Sequence, residues 1–396
     1  MIRTDDKAKC CGCKTCSIVC PKSCISFTED SLGAFYPIID SDQCINCGRC
    51  ESVCPMQRSF SGSVGLSAFA AFSDDKGVRF RGSSGGMFET FATWVIENGG
   101  AIFASKFDSD LQLKGFEATT IAEVRELTKS KYLQSDLAYL FPTIQSRTLE
   151  GRYTLFCGTP CQVSALRSFL GKDAQKDNLF LVDFFCHGVP TQAMFDRCIK
   201  FVEKKKTIHV KSYEFRSKRK NGSTPHYYTI VFEQYGDKKE KTALYCKDPF
   251  YLGFQKYITL RDSCYHCPFG HGNHQSDITI GDFHDVDRYI SGVNRFDGVS
   301  TVLINTSKGT QLWQRVKDGL TIFDIDIQTL IDDKVIYTGG TREPAHRNDF
   351  LRDLEAFPFD IVVEKWLNTK AEWKKEIYYL LPSPIRNAIK GVLGMR

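Results

Sequence analysis

The sequence predicts an α/β protein, a small cysteine-dense α+β domain leading into a larger α/β domain that carries an antiparallel insertion. Three observations predict it. Eight of the seventeen cysteines form two equally spaced runs within the first 54 residues. From residue 66 onward, apolar strand-length runs alternate with stretches of helical period. Residues 208–245 interrupt that alternation with strand-like segments around the turn "YGDKK". At 396 residues, with 42% hydrophobic and 25% charged side chains, the chain can bury an ordinary core in two or three domains.

The front element is read from its cysteines. "CCGCKTCSIVCP" (10–21) holds five, and Cys10, Cys13, Cys16 and Cys20, followed by Pro21, fit C-x2-C-x2-C-x3-C-P. Cys44, Cys47, Cys50 and Cys54, followed by Pro55, fit it again 34 residues later. Three thiolates two residues apart wrap one corner of a four-iron cubane, while the fourth reaches the other cluster. The spacing therefore assigns Cys10, Cys13, Cys16 and Cys54 to one [4Fe–4S] cluster, and Cys44, Cys47, Cys50 and Cys20 to a second. Residues 1–62 become a two-[4Fe–4S] ferredoxin-like domain, with Gly12 and Gly48 suiting the tight loops. Zinc also takes four cysteines, but it does not require such a run closed by proline, twice. Cys11, whose counterpart in the second copy is Ile45, and Cys24 fall outside the pattern and read as small buried hydrophobes.

In the larger element, strands are expected at 101–107, 153–158, 179–186, 276–283 and 300–305. Helices are expected at 87–97, 121–129, 135–149, 160–170, 191–206 and 310–318, an order that gives a partly parallel sheet covered on both faces. "RFRGSSGGMF" sets Ser83, Ser84, Gly85 and Gly86 before a helix, where free N–H groups and hydroxyls suit a phosphate or simply cap the helix. "FCGTPCQVSAL" follows a strand, with Thr159 as N-cap and Pro160 at the first helical position. Cys161 then sits in the first turn, where it reads evenly as a thiolate ligand or nucleophile and as a buried cysteine. Cys264 and Cys267 of "CYHCPF" are half a metal site, which Cys161 and Cys186 would complete as a third cubane if their element ends converge. His187, beside Cys186, reads as a general acid or, more commonly, as a loop hydrogen-bonder.

Five motifs in order, "RGSSGGMF", "SKYLQSD", "FCGTPCQVSALRSFL", "VDFFCHGVPT" and "CYHCPFGHGNHQSDITIGDF", resemble the coenzyme F(420) hydrogenase/dehydrogenase beta subunits and their bacterial relatives. The resemblance implies FAD in the α/β domain, iron–sulfur clusters nearby, and electron passage between clusters, flavin and a second substrate. By matched motif it places Ser83, Ser84, Gly85, Gly86, Lys131, Gln134 and Thr159 in the flavin pocket. It also makes residues 63–345 the FAD-binding domain and favours a third cluster on Cys161, Cys186, Cys264 and Cys267. The fused front domain is similar to that of stand-alone relatives found with surface-polysaccharide pathways. "GDFH" stands where many relatives carry Trp, so a deazaflavin substrate and a hydrogenase partner are less expected.

The last element, 346–396, reads as a basic amphipathic tail. Two helices meet at "PSP" (382–384), with Trp366, Trp373, Ile377 and Leu380 on one face of the first and Ile385, Ile389 and Val392 on one face of the second. Seven Lys and Arg against three Glu give residues 361–396 a charge of +4, nearly all of the chain's +5, so the body is close to neutral and nucleic acid is excluded as a partner. Docking of the tail on the body is expected over rest on an anionic membrane. Without an apolar leader or a run long enough to span a bilayer, the expected place is the cytoplasm, where clustered thiols mean metal. The expected function is a flavin-dependent iron–sulfur reductase taking electrons from a ferredoxin-type donor to a small organic or sugar-type substrate. A non-catalytic electron-relay subunit, a deazaflavin-dependent reductase and a homo-oligomer stay open.

Overall fold

A computed structural model describes residues 2, 5–57, 65–219, 226–269, 274–283, 286, 289–332, 341–381 and 385. Residues 270–273, His284 of "GDFH", the "PSP" break and the second tail helix beyond Ile385 lie outside them.

In the front domain, β1 (Ile25–Glu29) and β2 (Phe35–Ile39) pair antiparallel. Each cysteine run turns through left-handed backbone into a single helical turn, Thr15–Ile18 after Gly12 (φ 68°) and Lys14 (φ 60°), and Arg49–Ser52 after Gly48 (φ 73°). Glycine meets that geometry without a Cβ clash. Its small core is made of Cys16, Cys24, Ile25 and Cys54 with Ile2.

The larger part contains β3 (Ser67–Ser73), β4 (Ala101–Phe107), β5 (Leu113–Ala118), β6 (Thr154–Cys157) and β7 (Leu179–Phe184). The insertion adds β8 (His209–Phe215), β9 (Tyr227–Gln234) and β10 (Asp237–Leu244), and β11 (Ile278–Asp282), β12 (Ser300–Ile304) and β13 (Leu320–Ile325) follow. One eight-stranded sheet has the order β13-β3-β12-β11-β7-β6-β4-β5. Its centre, β11-β7-β6-β4, is parallel, and the outer pairs are antiparallel. The helices Met87–Glu97 and Ser307–Val316 cover one face through Met87, Phe91, Leu312 and Trp313; Phe141–Leu149 and Pro160–Leu170 cover the other through Phe141, Ile144, Val163 and Leu166. The α/β class is thus as expected.

The five expected strands are present, and β3, β5 and β13 were not expected. Residues 67–73, "SAFAAFS", lack β-branched side chains, and three alanines fill the tight space of a strand paired on both sides. The helix expected at 135–149 begins its α-helical part at Phe141, because Pro142 suits a first-turn position and not a helix interior.

Strands β8, β9 and β10 form the expected antiparallel insertion. Tyr235 (φ 54°) and Gly236 (φ 87°) close the β9–β10 hairpin as a two-residue turn with both φ values positive. Its apolar face joins an aromatic core in which Tyr213–Phe215 ring centres lie 4.6 Å apart and Phe195–Phe250 centres 5.0 Å apart.

The single helix expected from 361 is two, Phe359–Trp366 and Trp373–Leu380. Asn368 breaks it by turning its side chain onto the Lys370 N–H at 2.9 Å, the local bond that draws Asn out of helix interiors. Val362, Val363 and Leu367 are buried in the insertion's core, so this part of the tail docks on the body. Among the described residues no helix is long and apolar enough to cross a membrane.

Candidate redox site

The two ferredoxin-type cysteine sets differ in exposure. Cys20, Cys44, Cys47 and Cys50 line one shallow surface pocket, and Cys47 is exposed. Cys16 and Cys54 of the other set are buried. Burial, then the nearby sulfurs of Cys13, Cys10 and Cys54, push the Cys16 thiol well up. Burial, with Cys13 and Cys10 adding to it, pushes Cys54 up to about 11. Cys10 is raised too, chiefly by burial, while hydrogen bonding lowers Cys13 to about 7, so the set as a whole resists ionising together until a cation compensates it, which is what cluster iron does.

A third set repeats this pattern at the carboxyl edge of the parallel strands. Cys161 opens the helix after β6, Cys186 follows β7, Cys264 lies in the helical turn Asp262–Tyr265, and Cys267 in the loop after it, before β11. Burial, then Cys264, Cys161 and Cys267, push the Cys186 thiol well up, while burial, Cys161 and Cys267 carry Cys264 up to about 12. These mutual effects put the sulfurs in one neighbourhood, with a donor set of the type a cubane takes. Among the described residues no three His, Cys, Asp or Glu side chains close on one point as around a single ion. Cubane thiolates stand on different irons and need not.

Thr159 serves this set. Its hydroxyl lies 3.1 Å from the Cys161 sulfur and 3.1 Å from Gln162 Oε1. Gln134 is likewise outside the SSGG loop: its Nε2 donates to the Cys11 and Gly12 carbonyls at 2.9 and 3.2 Å, fastening the first cluster loop. His187 accepts at its carbonyl from the Thr341 hydroxyl at 2.6 Å.

The remaining flavin-pocket candidates meet at one place. The Ser130 N–H donates to Ser83 Oγ at 2.7 Å, joining the SSGG loop to the segment that begins "SKYLQ". Ser84 Oγ donates to the Val299 carbonyl at 2.6 Å, and Gly85 N–H donates to Ser300 Oγ at 2.9 Å. A Cβ on Gly85 would meet the Ala71 carbonyl at 2.4 Å, so this glycine is required by close approach to β3. Gly86 (φ 91°) turns the chain into the helix Met87–Glu97.

Cations gather around this loop. Lys131 Nζ donates to the Leu127 and Thr128 carbonyls, both at 2.7 Å, and Lys218 Nζ to that of Ser84. Desolvation holds each ammonium down at about 7, and among the described residues neither has a carboxylate ion-pair partner. Arg216, 4% exposed and in left-handed backbone (φ 59°), makes a double hydrogen bond to Asp282 at 2.7 and 2.9 Å and donates to the Ser83 carbonyl at 3.1 Å. Lys218 stands at the Ser84 carbonyl just before the start of Met87–Glu97, while Lys131 binds the carboxyl end of the helix Ile121–Leu127.

Three features were missed in the sequence. Arg216 and Lys218 lie in the antiparallel insertion, where "FRSKR" resembles any basic strand end. Arg261, fully buried, donates from Nε to the Cys10 carbonyl at 2.8 Å. Asp183, fully buried, contacts His274 Nδ1 at 2.9 Å and accepts from Thr279 Oγ1 at 2.5 Å. Burial opposes the His274 imidazolium and Asp183 more than offsets it, so that pKa is raised. An Asp near a strand end and a His in "GHGNHQ" were the available signals.

Residues 151–326 match the family model for the C terminus of the coenzyme F(420) hydrogenase/dehydrogenase beta subunit. Residues 9–57 and 36–85 match two models, both described as 4Fe-4S dicluster domain. Among solved structures the chain is similar to one from the xenon-derivatised F(420)-reducing [NiFe] hydrogenase complex of Methanosarcina barkeri. The two are 18% identical, with a TM-score of 0.45, over 80% of this chain and 94% of that one. No curated protein matches. The chain is an iron–sulfur electron-transfer protein related through residues 151–326 to that beta subunit family, and its front domain carries the sites of two [4Fe–4S] clusters.

Proposed function

We propose that this relative of the coenzyme F(420) hydrogenase/dehydrogenase beta subunit is a flavin-dependent iron–sulfur reductase with three [4Fe–4S] clusters and FAD. The observation that carries it is a further cysteine set outside the front domain, Cys161, Cys186, Cys264 and Cys267, whose sulfurs act on one another. Bound clusters would supply one-electron transfer, and FAD the link to two-electron chemistry. Cys20, Cys44, Cys47 and Cys50 hold the entry cluster where a soluble ferredoxin-type donor can reach it. Cys10, Cys13, Cys16 and Cys54 hold the buried one. Residues 63–345 form the flavin domain, in which Ser83, Gly86, Lys131, Lys218 and Arg216 bind and orient the dinucleotide. Thr159 holds Cys161, and His187 gives a proton to the reduced substrate, a small organic or sugar-type molecule. The test is anaerobic reduction by a reduced ferredoxin: the flavin band should bleach after the cluster signals appear. A chain with full iron that takes up no FAD would sink the proposal.

Lys131 gives a pH test. An anion beside an ammonium held near 7 raises its pKa, so FAD binding takes up a proton. Affinity is then greatest below about pH 7 and falls by up to about tenfold per pH unit above it. The flavin-free chain carries the opposite sign. Its unfolded lysine keeps the proton to about pH 10.4, so stability rises between about pH 7 and that value. Lys131→Met should flatten both profiles, read by titration calorimetry and by denaturant midpoints.

The word "subunit" in the matched family's description favours a second reading, an electron relay whose partner holds the substrate site. Turnover of a small acceptor by the purified chain alone would decide against it.

A further inference from the structure

Arg261 is fully buried, and among the described residues no carboxylate pairs with it. The neighbouring Asp262 is taken by Arg347. A guanidinium does not shed its charge in a protein, and a buried charge without a counter-charge is costly. The donors of Arg261 are nonetheless occupied, and they reach from the larger domain to the first cysteine loop. Nε donates to the Cys10 carbonyl at 2.8 Å, Nη2 to the Phe35 carbonyl at 2.6 Å, and Nη1 to Gln134 Oε1 at 3.3 Å. Nη2 also lies 3.6 Å from Cys10 Sγ, and the guanidinium stands 4.3 Å from the Tyr36 ring centre. Carbonyls, an amide and a ring satisfy N–H groups, but none of them carries a net charge. The buried cation lacks an anion, and the residue it grips is a ligand of an anionic group.

The placement is fixed from both ends. The Arg261 N–H donates to the Val189 carbonyl at 3.1 Å, and the Leu260 carbonyl before it accepts from Arg347 Nη2 at 3.0 Å. On the loop side, Gln134 Nε2 donates to the Cys11 and Gly12 carbonyls at 2.9 and 3.2 Å. Gly12 (φ 68°) leaves the space the guanidinium fills: a Cβ there would stand 2.7 Å from both Arg261 Nη1 and Gln134 Nε2. The left-handed glycine, the glutamine and the arginine are one packed unit.

We propose that Arg261 is the buried counter-cation of the cluster held by Cys10, Cys13, Cys16 and Cys54, and that it raises the reduction potential of that cluster. The inference rests on that ligand assignment and needs neither the flavin nor the third cluster. A cubane on four thiolates is anionic, and reduction adds one more negative charge. Burial alone disfavours the more highly charged state, so it would make this cluster harder to reduce than the exposed one of Cys20, Cys44, Cys47 and Cys50. A fixed positive charge at Cys10 acts in the opposite sense, and with little water to screen it. It draws inward an electron that enters at the exposed cluster. One electron arrives at the inner cluster and the exposed one is oxidised by one; no bond forms or breaks, and Arg261 keeps its proton.

The experiment uses the full chain with its clusters reconstituted, and iron is counted first. About eight irons, those of the front domain's two cubanes, are enough for it. Fewer in the unaltered chain would overturn the cluster assignment and the inference with it. An EPR redox titration then follows both ferredoxin-type couples. In Arg261→Met one couple should fall by at least about 59 mV, a tenfold change in a one-electron equilibrium, while the other stays in place. Arg261→Lys, which keeps the charge without the planar fork, should hold that couple closer to the unaltered value. Gln134→Glu leaves Arg261 and every cysteine in place and sets a carboxylate where Gln134 Oε1 meets Nη1, so the same couple should fall as the charge is neutralised. It also carries the test if Arg261→Met loses iron. Potentials unchanged in an iron-complete Arg261→Met or Gln134→Glu chain, or lowered equally by Arg261→Lys and Arg261→Met, would reduce Arg261 to a structural clamp and overturn the proposal.

Discussion

Replacing Cys264 by alanine should remove about four of roughly twelve irons per chain and stop reduction of the flavin by a ferredoxin-type donor. The size of the effect follows from where the residue sits. Cys264 lies within electrostatic reach of Cys161 and Cys267, and its sulfur accepts the Val189 N–H at 3.4 Å. With three thiolates left, a buried cubane loses both a bond and the shielding that keeps it from water. The front-domain sets are untouched, so the remaining irons should still give the EPR of two interacting cubanes. Iron analysis with flavin bleaching is the measurement. Unchanged iron and unchanged bleaching would remove the third cluster from the account.

Arg216→Met should destabilise the chain by about 3–5 kcal/mol, the range for breaking a buried ion pair from one side. The Arg216 side chain is 5% exposed and Asp282 20%, and the two share a double hydrogen bond. The lost contacts extend further, since the same guanidinium donates to the Ser83 carbonyl and to the Tyr132 hydroxyl. FAD affinity should therefore fall together with stability, because the SSGG loop loses one of its ties. Denaturant melts of Arg216→Met, of Asp282→Leu and of the double variant separate the terms. The double variant should recover much of the loss, since an apolar pair of similar volume replaces a buried ion pair at small cost. No recovery would mean that Arg216 acts through Ser83 and Tyr132 and not through its ion pair.

Much of the fold could be read locally. Cysteine spacing gave the two front sets, because three thiolates within one tight loop depend on backbone reach alone. Alternating apolar periods gave five of the eight sheet strands and the two covered faces. Strands β3, β5 and β13 were passed over because their pairing decides them. β3 is alanine-rich between two neighbours, and β5 and β13 lie at the sheet edges with only part of each buried.

Read alone, the chain of residues is enough for the α/β class, two [4Fe–4S] ligand sets, the hairpin at Tyr235 and Gly236, and the Thr159 cap of the helix Pro160–Leu170. Each is set within a few residues of itself, by φ/ψ, by thiolate reach or by one hydrogen bond. Folding in three dimensions was needed to show that Gln134 serves the cluster loop and that Arg261 clamps Cys10 from 251 residues away. The reason is physical: charge burial, sulfur-to-sulfur approach and ion pairing depend on distance in space, and local spacing carries no record of which distant strand ends the sheet will bring together.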